Sequence, residues 1–165
     1  MIQVGQRLPD ASLKEFIETE TPGCALGPNE FKVADIVKGK KIVIFGLPGA
    51  FTPTCSAKHV PGYVASFDAI RRKGVDEIWC VSVNDAFVMG AWGRDQKAQG
   101  KVRMMADGGA QFTRALGLEQ EIAGMGTRSK RYSMLVEDGV VKTLDLEAPG
   151  KFEVSDAASM LRRLG

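Results

Sequence analysis

Lys41-Ile-Val-Ile-Phe-Gly46, continued by Leu-Pro-Gly-Ala-Phe-Thr-Pro-Thr-Cys55, is the stretch on which the fold turns. Ile42, Val43, Ile44 and Phe45 are apolar without a break, and three of them are β-branched. A strand with one wet face alternates instead, so this run predicts a strand buried on both faces of a sheet. Gly46, Pro48 and Gly49 end it, and helical spacing begins at Cys55. The carboxyl end of a buried strand, where a helix starts, is where open α/β sheets form their sites.

Two further runs resemble the first. Glu77-Ile-Trp-Cys-Val-Ser-Val83 predicts a second buried strand and Val102–Ala106 a third. The segments between them, Cys55–Lys73 and Ala86–Gln99, have helical spacing. In the latter Val88, Met89 and Trp92 recur at helical intervals, and Asn84 or Asp85 is the N-cap. Strands alternating with helices imply crossover connections and a parallel portion of sheet.

Towards the end of the chain, Tyr132–Glu137, Asp138-Gly139 and Val140–Asp145 predict a β-hairpin, because Asp-Gly suits a type I′ turn. A last amphipathic helix runs from Ser155, its cap, to Leu164. At the start, an alternating run at Ser12–Glu18 leads through the loose segment Thr19–Asn29 to a short strand or turn near Phe31. A short helix at Val33–Val37 is stopped by Gly39. The order is β-hairpin, βαβαβ, short helix, β-hairpin, helix. It fits an α/β thioredoxin fold, a mixed central sheet with helices on both faces, carrying an N-terminal β-hairpin extension.

The chain has 165 residues, 44% hydrophobic and 25% charged. That is enough for one domain, read here as residues 1–165, and excludes disorder as the dominant state. No run approaches the roughly 18 apolar residues that span a bilayer. The opening MIQVGQRLPD has Arg7 and Pro9 where a signal peptide needs its apolar core, so a cytoplasmic protein is expected. Net charge is +2 and the signs are interspersed, against the one-sided excess of a nucleic-acid binder. Cys24, Cys55, Cys80 and His59 form no CxxC or CxxH pair, which argues against structural zinc. Neither Gly108-Gly109 nor Gly124-Met-Gly126 makes a phosphate-binding fingerprint; both read as loop glycines.

Cys55 falls in the first turn of its helix, where free N–H groups and the positive dipole end favour a thiolate, the nucleophilic form. A helix end supplies at most ~2 kcal/mol, too little alone to keep an ordinary thiol ionised at neutral pH. A second cationic group must therefore approach. Arg131, which opens the strand Tyr132–Glu137, is the candidate; its guanidinium is permanently charged and carries several donors. Arg128, three residues earlier in an expected loop, is the rival. Thr52 can donate and accept, and so bridge the sulfur and a bound oxygen substrate. Pro48 lacks an N–H and would shape the pocket and shield the thiolate from water.

Pro48-x-x-x-Thr52-x-x-Cys55 resembles the active-site motif of the peroxiredoxins. The longer PGAFTPTCSAKHVPG, with VSVNDAFVMGAWG at Val81–Gly93, KVRMMADG at Lys101–Gly108 and RYSMLVEDG at Arg131–Gly139, is similar to the type II, peroxiredoxin-5-like branch. The resemblance implies a thioredoxin-like fold and reduction of hydrogen peroxide and organic hydroperoxides, with antioxidant defence as the role. It implies that Cys55 attacks the O–O bond and becomes a sulfenic acid, that Thr52 and Pro48 build the peroxide pocket, and that Arg131 rather than Arg128 is the catalytic arginine. No metal or organic cofactor is implied. It also implies a homodimer, with Phe51 near the interface.

Some relatives of that family carry a resolving cysteine in the loop before the last helix. Here Glu147–Ser155 has none, so a one-cysteine cycle is expected. An external thiol then attacks the sulfenic acid. Glutathione, with or without glutaredoxin, is the expected reductant, with thioredoxin as the other. Cys24 is an unorthodox resolver in its loop, and otherwise an exposed thiol without a role. Cys80 reads as inert packing in a strand, and His59 as a structural or pocket-lining residue on the face of Cys55. Trp92 reads as core. A peroxide-responsive redox sensor or binding module would use the same thiolate without efficient recycling. A thiol–disulfide oxidoreductase lacks its CxxC, and a nucleic-acid protein using Lys130-Arg131 lacks the aromatic–basic surface.

Overall fold

β3 (Lys41–Gly46) lies inside a seven-stranded sheet, and Ile42–Gly46 are buried along their whole length. The computed structural model describes residues 1–165. With β1 (Ser12–Ile17), β2 (Gly27–Lys32), β4 (Glu77–Ser82), β5 (Arg103–Ala106), β8 (Tyr132–Glu137) and β9 (Val140–Leu146), the strand order is β2-β1-β5-β4-β3-β8-β9. β3, β4 and β5 are parallel; β1, β8 and β9 run antiparallel to their neighbours.

The unbroken apolar run of β3 now has its reason, because alternate residues serve two cores. Val43 and Phe45 join one core with Cys80, Met89, Trp92 and Met160. Ile42 and Ile44 join the other with Trp79, Val81, Phe112 and Tyr132. Each such fully buried side chain contributes about 1.5–3 kcal/mol. The first core is covered by α2 (Val60–Ala65), α3 (Phe67–Arg72), α4 (Ala86–Asp95) and α6 (Ala157–Leu164), the second by α1 (Val33–Ile36) and α5 (Gln111–Leu116). The expected thioredoxin fold with an N-terminal hairpin is the observed one. No helix is long and apolar enough to cross a membrane.

The β8–β9 turn is as the sequence predicts: Asp138 (φ 47) and Gly139 (φ 81) are both left-handed, as type I′ requires. β8 pairs with β3 so that Tyr132 sits opposite Gly46. A Cβ at Gly46 would fall 2.2 Å from the Tyr132 ring, so only glycine fits there. This pairing also carries Arg131 to the carboxyl end of β3.

Several expectations need correction. β2 begins at Gly27, inside the expected loop; Pro28 is tolerated because β2 is an edge strand. The helix from Cys55 is not one piece. It holds a π-turn at Cys55–His59, then α2, a break at Ser66, and α3. α4 stops at Asp95, short of Gln99, and Lys97 turns left-handed at φ 55. Asp85 caps it, accepting from the Val88 N–H. α6 is capped by Asp156, not Ser155, through the Ser159 N–H. Finally, β6 (Glu119–Ile122) and β7 (Gly126–Ser129) form a small separate hairpin. Gly126 and Arg128 are therefore strand residues, not loop.

The hairpin tip between β1 and β2 lies far from Cys55. β1 is antiparallel to β5, with Lys14 opposite Ala106, so Ile17 points to the amino ends of the parallel strands. Gln99 Nε2 donates to Thr19 Oγ1 there, and Arg94 pairs with Glu18. Cys24 is at that end, and β1 is three strands, ~14 Å, to one side of β3.

Candidate active site

The helical stretch after β3 opens at Pro53, so Cys55 lies in its first turn as expected. In the π-turn the Val60 N–H donates to Cys55 O. Such bulges occur frequently at functional sites. The Cys55 side chain is fully buried. Arg131 Nη2 donates to Cys55 Sγ at 3.2 Å, and Arg131 Nη1 donates to His59 Nδ1 at 2.8 Å. The guanidinium carbon also lies 5.8 Å from the Phe152 ring centroid. Arg131 is thus held by three groups, and the arginine expected to meet the sulfur does so.

Arg128 does not. Its Nε donates to Met125 O and its Nη1 to Val83 O. A Cβ on Gly49 would meet that Nη1 at 3.0 Å, so Arg128 packs against the Gly49 loop instead. Asn84 does the same from β4's end: its Oδ1 accepts from the Ala50 N–H at 3.0 Å and from Ser82 Oγ at 2.6 Å. Phe51 takes φ 61, a costly conformation for a bulky residue.

Thr52 is half-buried, and its hydroxyl donates to Gly49 O at 2.7 Å. The expected bridge to the sulfur is therefore not made in this state; the lone pairs of Oγ1 remain as acceptors. Pro48 lines a cavity of about 280 Å³ with Thr54, Arg131, Lys130, Lys151 and Phe152. A larger cavity, about 350 Å³, lies at the other end of the sheet against β1 and α4, away from the cysteine.

His59, expected as a structural or pocket-lining residue, touches Arg131 and so helps to hold the guanidinium beside Cys55. Because guanidinium only donates, Nδ1 must accept, and Nε2 then carries the hydrogen and donates to Ser155 O at 3.1 Å. Burial first, and the Arg131 charge second, push its pKa down to about 3. Ser155 is in turn fixed by Glu147, whose carboxylate accepts from the N–H groups of Glu153, Val154 and Ser155 and from Ser155 Oγ. Burial pushes the Glu147 carboxyl up, but these hydrogen bonds outweigh it and hold it below the usual carboxylate range. Only i+4 spacing from Cys55 hinted at His59 in the sequence; nothing local marked Asn84 or Glu147.

The His59 shift makes stability depend on pH. The unfolded chain binds a proton below about pH 6.5 that the folded one refuses until about 3. The contribution is complete above 6.5 and is lost as pH falls through that window, at about 1.4 kcal/mol per pH unit. His59→Gln should remove that slope between pH 6 and 4.5 in denaturant unfolding. An unchanged slope would mean that His59 is charged in the fold.

Cys80 is fully buried in β4, and burial pushes its thiol pKa up. Trp92 is buried as expected and donates from Nε1 to Ser56 Oγ at 3.1 Å.

A buried cysteine at a helix start, touched by a guanidinium, on a thioredoxin fold defines a thiol-redox protein, and the comparisons agree. The Redoxin family model matches residues 3–161. Peroxiredoxin-2E, chloroplastic, of Arabidopsis thaliana is 45% identical over 167 residues, covering 99% of this chain and 69% of the relative. Reduced Prx3 of Vibrio vulnificus in complex with H2O2 is 49% identical with TM-score 0.93, covering 100% of both chains. A Burkholderia cenocepacia protein, provisionally described as a thioredoxin reductase, is 68% identical with TM-score 0.97, covering 98% of this chain and 97% of that one. The chain belongs to the peroxiredoxin family, the thiol peroxidases.

Proposed function

We propose that this protein reduces hydroperoxides through Cys55 in a one-cysteine cycle completed by an external thiol. The observation that carries it is the Arg131 guanidinium on Cys55 Sγ at 3.2 Å. The thiolate attacks the nearer peroxide oxygen, the O–O bond breaks, and the leaving alkoxide takes a proton to become an alcohol, or water from H2O2. Cys55 is left as a sulfenic acid. Arg131 stabilises the charge as it moves from sulfur to the leaving oxygen. Pro48 walls the pocket, and a rotated Thr52 hydroxyl supplies the further hydrogen bond.

The placement of the other thiols supports the external reductant. Cys80 is sealed in β4, Cys24 sits at the far end of the sheet, and Glu147–Ser155 holds no cysteine. Glutathione, with or without glutaredoxin, is the preferred reductant, and thioredoxin the alternative. Turnover of H2O2 is measured with each of the three systems. Glutathione-driven turnover, unchanged in Cys24→Ser, is expected. Turnover with thioredoxin alone, with a Cys24–Cys55 disulfide in peroxide-treated protein, would overturn the cycle.

Phe51 (55% exposed) and Phe87 (65% exposed) stand at the active-site end and support a homodimer through that edge. A monomer by sedimentation, at any concentration that retains activity, would refute it. The proposed compartment is the cytoplasm, where unpaired thiols persist. Cell fractionation tests this against the chloroplast of the Arabidopsis relative.

A further inference from the structure

The 280 Å³ cavity beside Arg131 is much larger than hydrogen peroxide requires, since one water occupies about 30 Å³. Its walls are unusual in charge. Lys130, Arg131 and Lys151 all line it, and neither lysine takes part in an ion pair. The one carboxylate in the wall, Glu147, is turned onto the N–H groups of 153–155 and the Ser155 hydroxyl. Backbone bonds fix the positions of both lysines: Lys130 N–H donates to Leu118 O at 2.7 Å and Lys151 N–H to Ala148 O at 2.9 Å. Pro48, Pro149 and Phe152 add apolar surface to the lining. Arg131 is shared between this cavity and the sulfur.

We propose that this cavity is the docking site of the reducing thiol, and that Lys130 and Lys151 hold carboxylates of a small acidic peptide thiol, the class to which glutathione belongs. The inference rests on the external-thiol reading above. Arg131 is occupied by the sulfur, His59 and Phe152, so the two lysines are the charges free to choose a ligand. Arg131 borders this cavity on one side and the Cys55 sulfur on the other, so a carboxylate held there brings the attached thiol to the guanidinium that touches Cys55. The thiol sulfur attacks the sulfenic sulfur, an S–S bond forms, the S–O bond breaks, and the hydroxyl leaves as water with the thiol proton. A second thiol then reduces the mixed disulfide, releasing Cys55 and an external disulfide.

The test compares thiols of different charge within each protein. Cys55 is oxidised with one equivalent of H2O2, and the sulfenic acid is reduced by glutathione or by uncharged 2-mercaptoethanol. In Lys130→Glu/Lys151→Glu the ratio of the glutathione rate to the 2-mercaptoethanol rate should fall about tenfold. In the wild type, 0.5 M salt should lower the same ratio. Lys151→Glu alone, at an exposed position, should give part of the fall. Because each protein is its own reference, a general loss of folding cancels. An unchanged ratio overturns the inference and leaves the one-cysteine cycle standing. Wild-type sulfenic acid that glutathione does not reduce overturns both. A parallel pair of hydroperoxides, one bearing a carboxylate and one neutral, covers the other source of a carboxylate. If their rate ratio falls while the thiol ratio holds, the cavity serves the oxidant and the inference fails.

Discussion

Cys55→Ser should reduce peroxide turnover to background, a loss of at least about 10³-fold, because a serine hydroxyl beside Arg131 is not ionised and has no comparable nucleophilicity towards oxygen. Cys80→Ser is the matched control. It places a hydroxyl in an apolar strand, costs about 1–3 kcal/mol of stability, and leaves the rate of oxidation within about threefold. The two variants separate the two buried thiols, which share one core. Peroxide turnover surviving in Cys55→Ser would refute Cys55 as the nucleophile.

Arg131→Met should give the second largest effect. It takes donors from both Cys55 Sγ and His59 Nδ1. Loss of a donor aimed at developing charge typically costs about 10²–10³ in rate, and a fall of that size is expected in single-turnover oxidation by H2O2. Arg131→Lys keeps the charge, but one ammonium cannot replace the planar fork that spans sulfur and imidazole, so an intermediate loss is expected. Arg128→Met tests the rival. That side chain reaches Val83 O and Met125 O rather than the sulfur. Its removal should loosen the Gly49 loop and act less than Arg131→Met. A larger effect at Arg128 would reverse the assignment.

Much of this was legible because the deciding signals are local. The β3 run, the Asp138-Gly139 turn and the helix start at Cys55 each follow from adjacent residues. The β6–β7 hairpin was not, because Glu119-Gln-Glu-Ile122 and Gly126-Thr-Arg-Ser129 are polar and present no apolar face to read. The α6 cap falls at Asp156 and not at the expected Ser155 because Ser155 is engaged by Glu147, eight residues back. The same distinction divides the site. Cys55, Arg131, Pro48 and Thr52 could be named from motif and spacing. Asn84 and His59 act through bonds that exist only once β4, β8 and the π-turn are packed side by side. Thr52 was named, but the direction of its hydroxyl depends on the Gly49 carbonyl beside it.

The remoteness of the Thr19–Leu26 tip has a practical meaning. Its backbone sits at the opposite pole of the sheet from the Cys55 sulfur. A fluorophore, an affinity peptide or a few extra residues could be grafted there without touching the chemistry. A tag carried by that tip through a group other than a thiol would report on the molecule's whereabouts and leave Cys55 undisturbed.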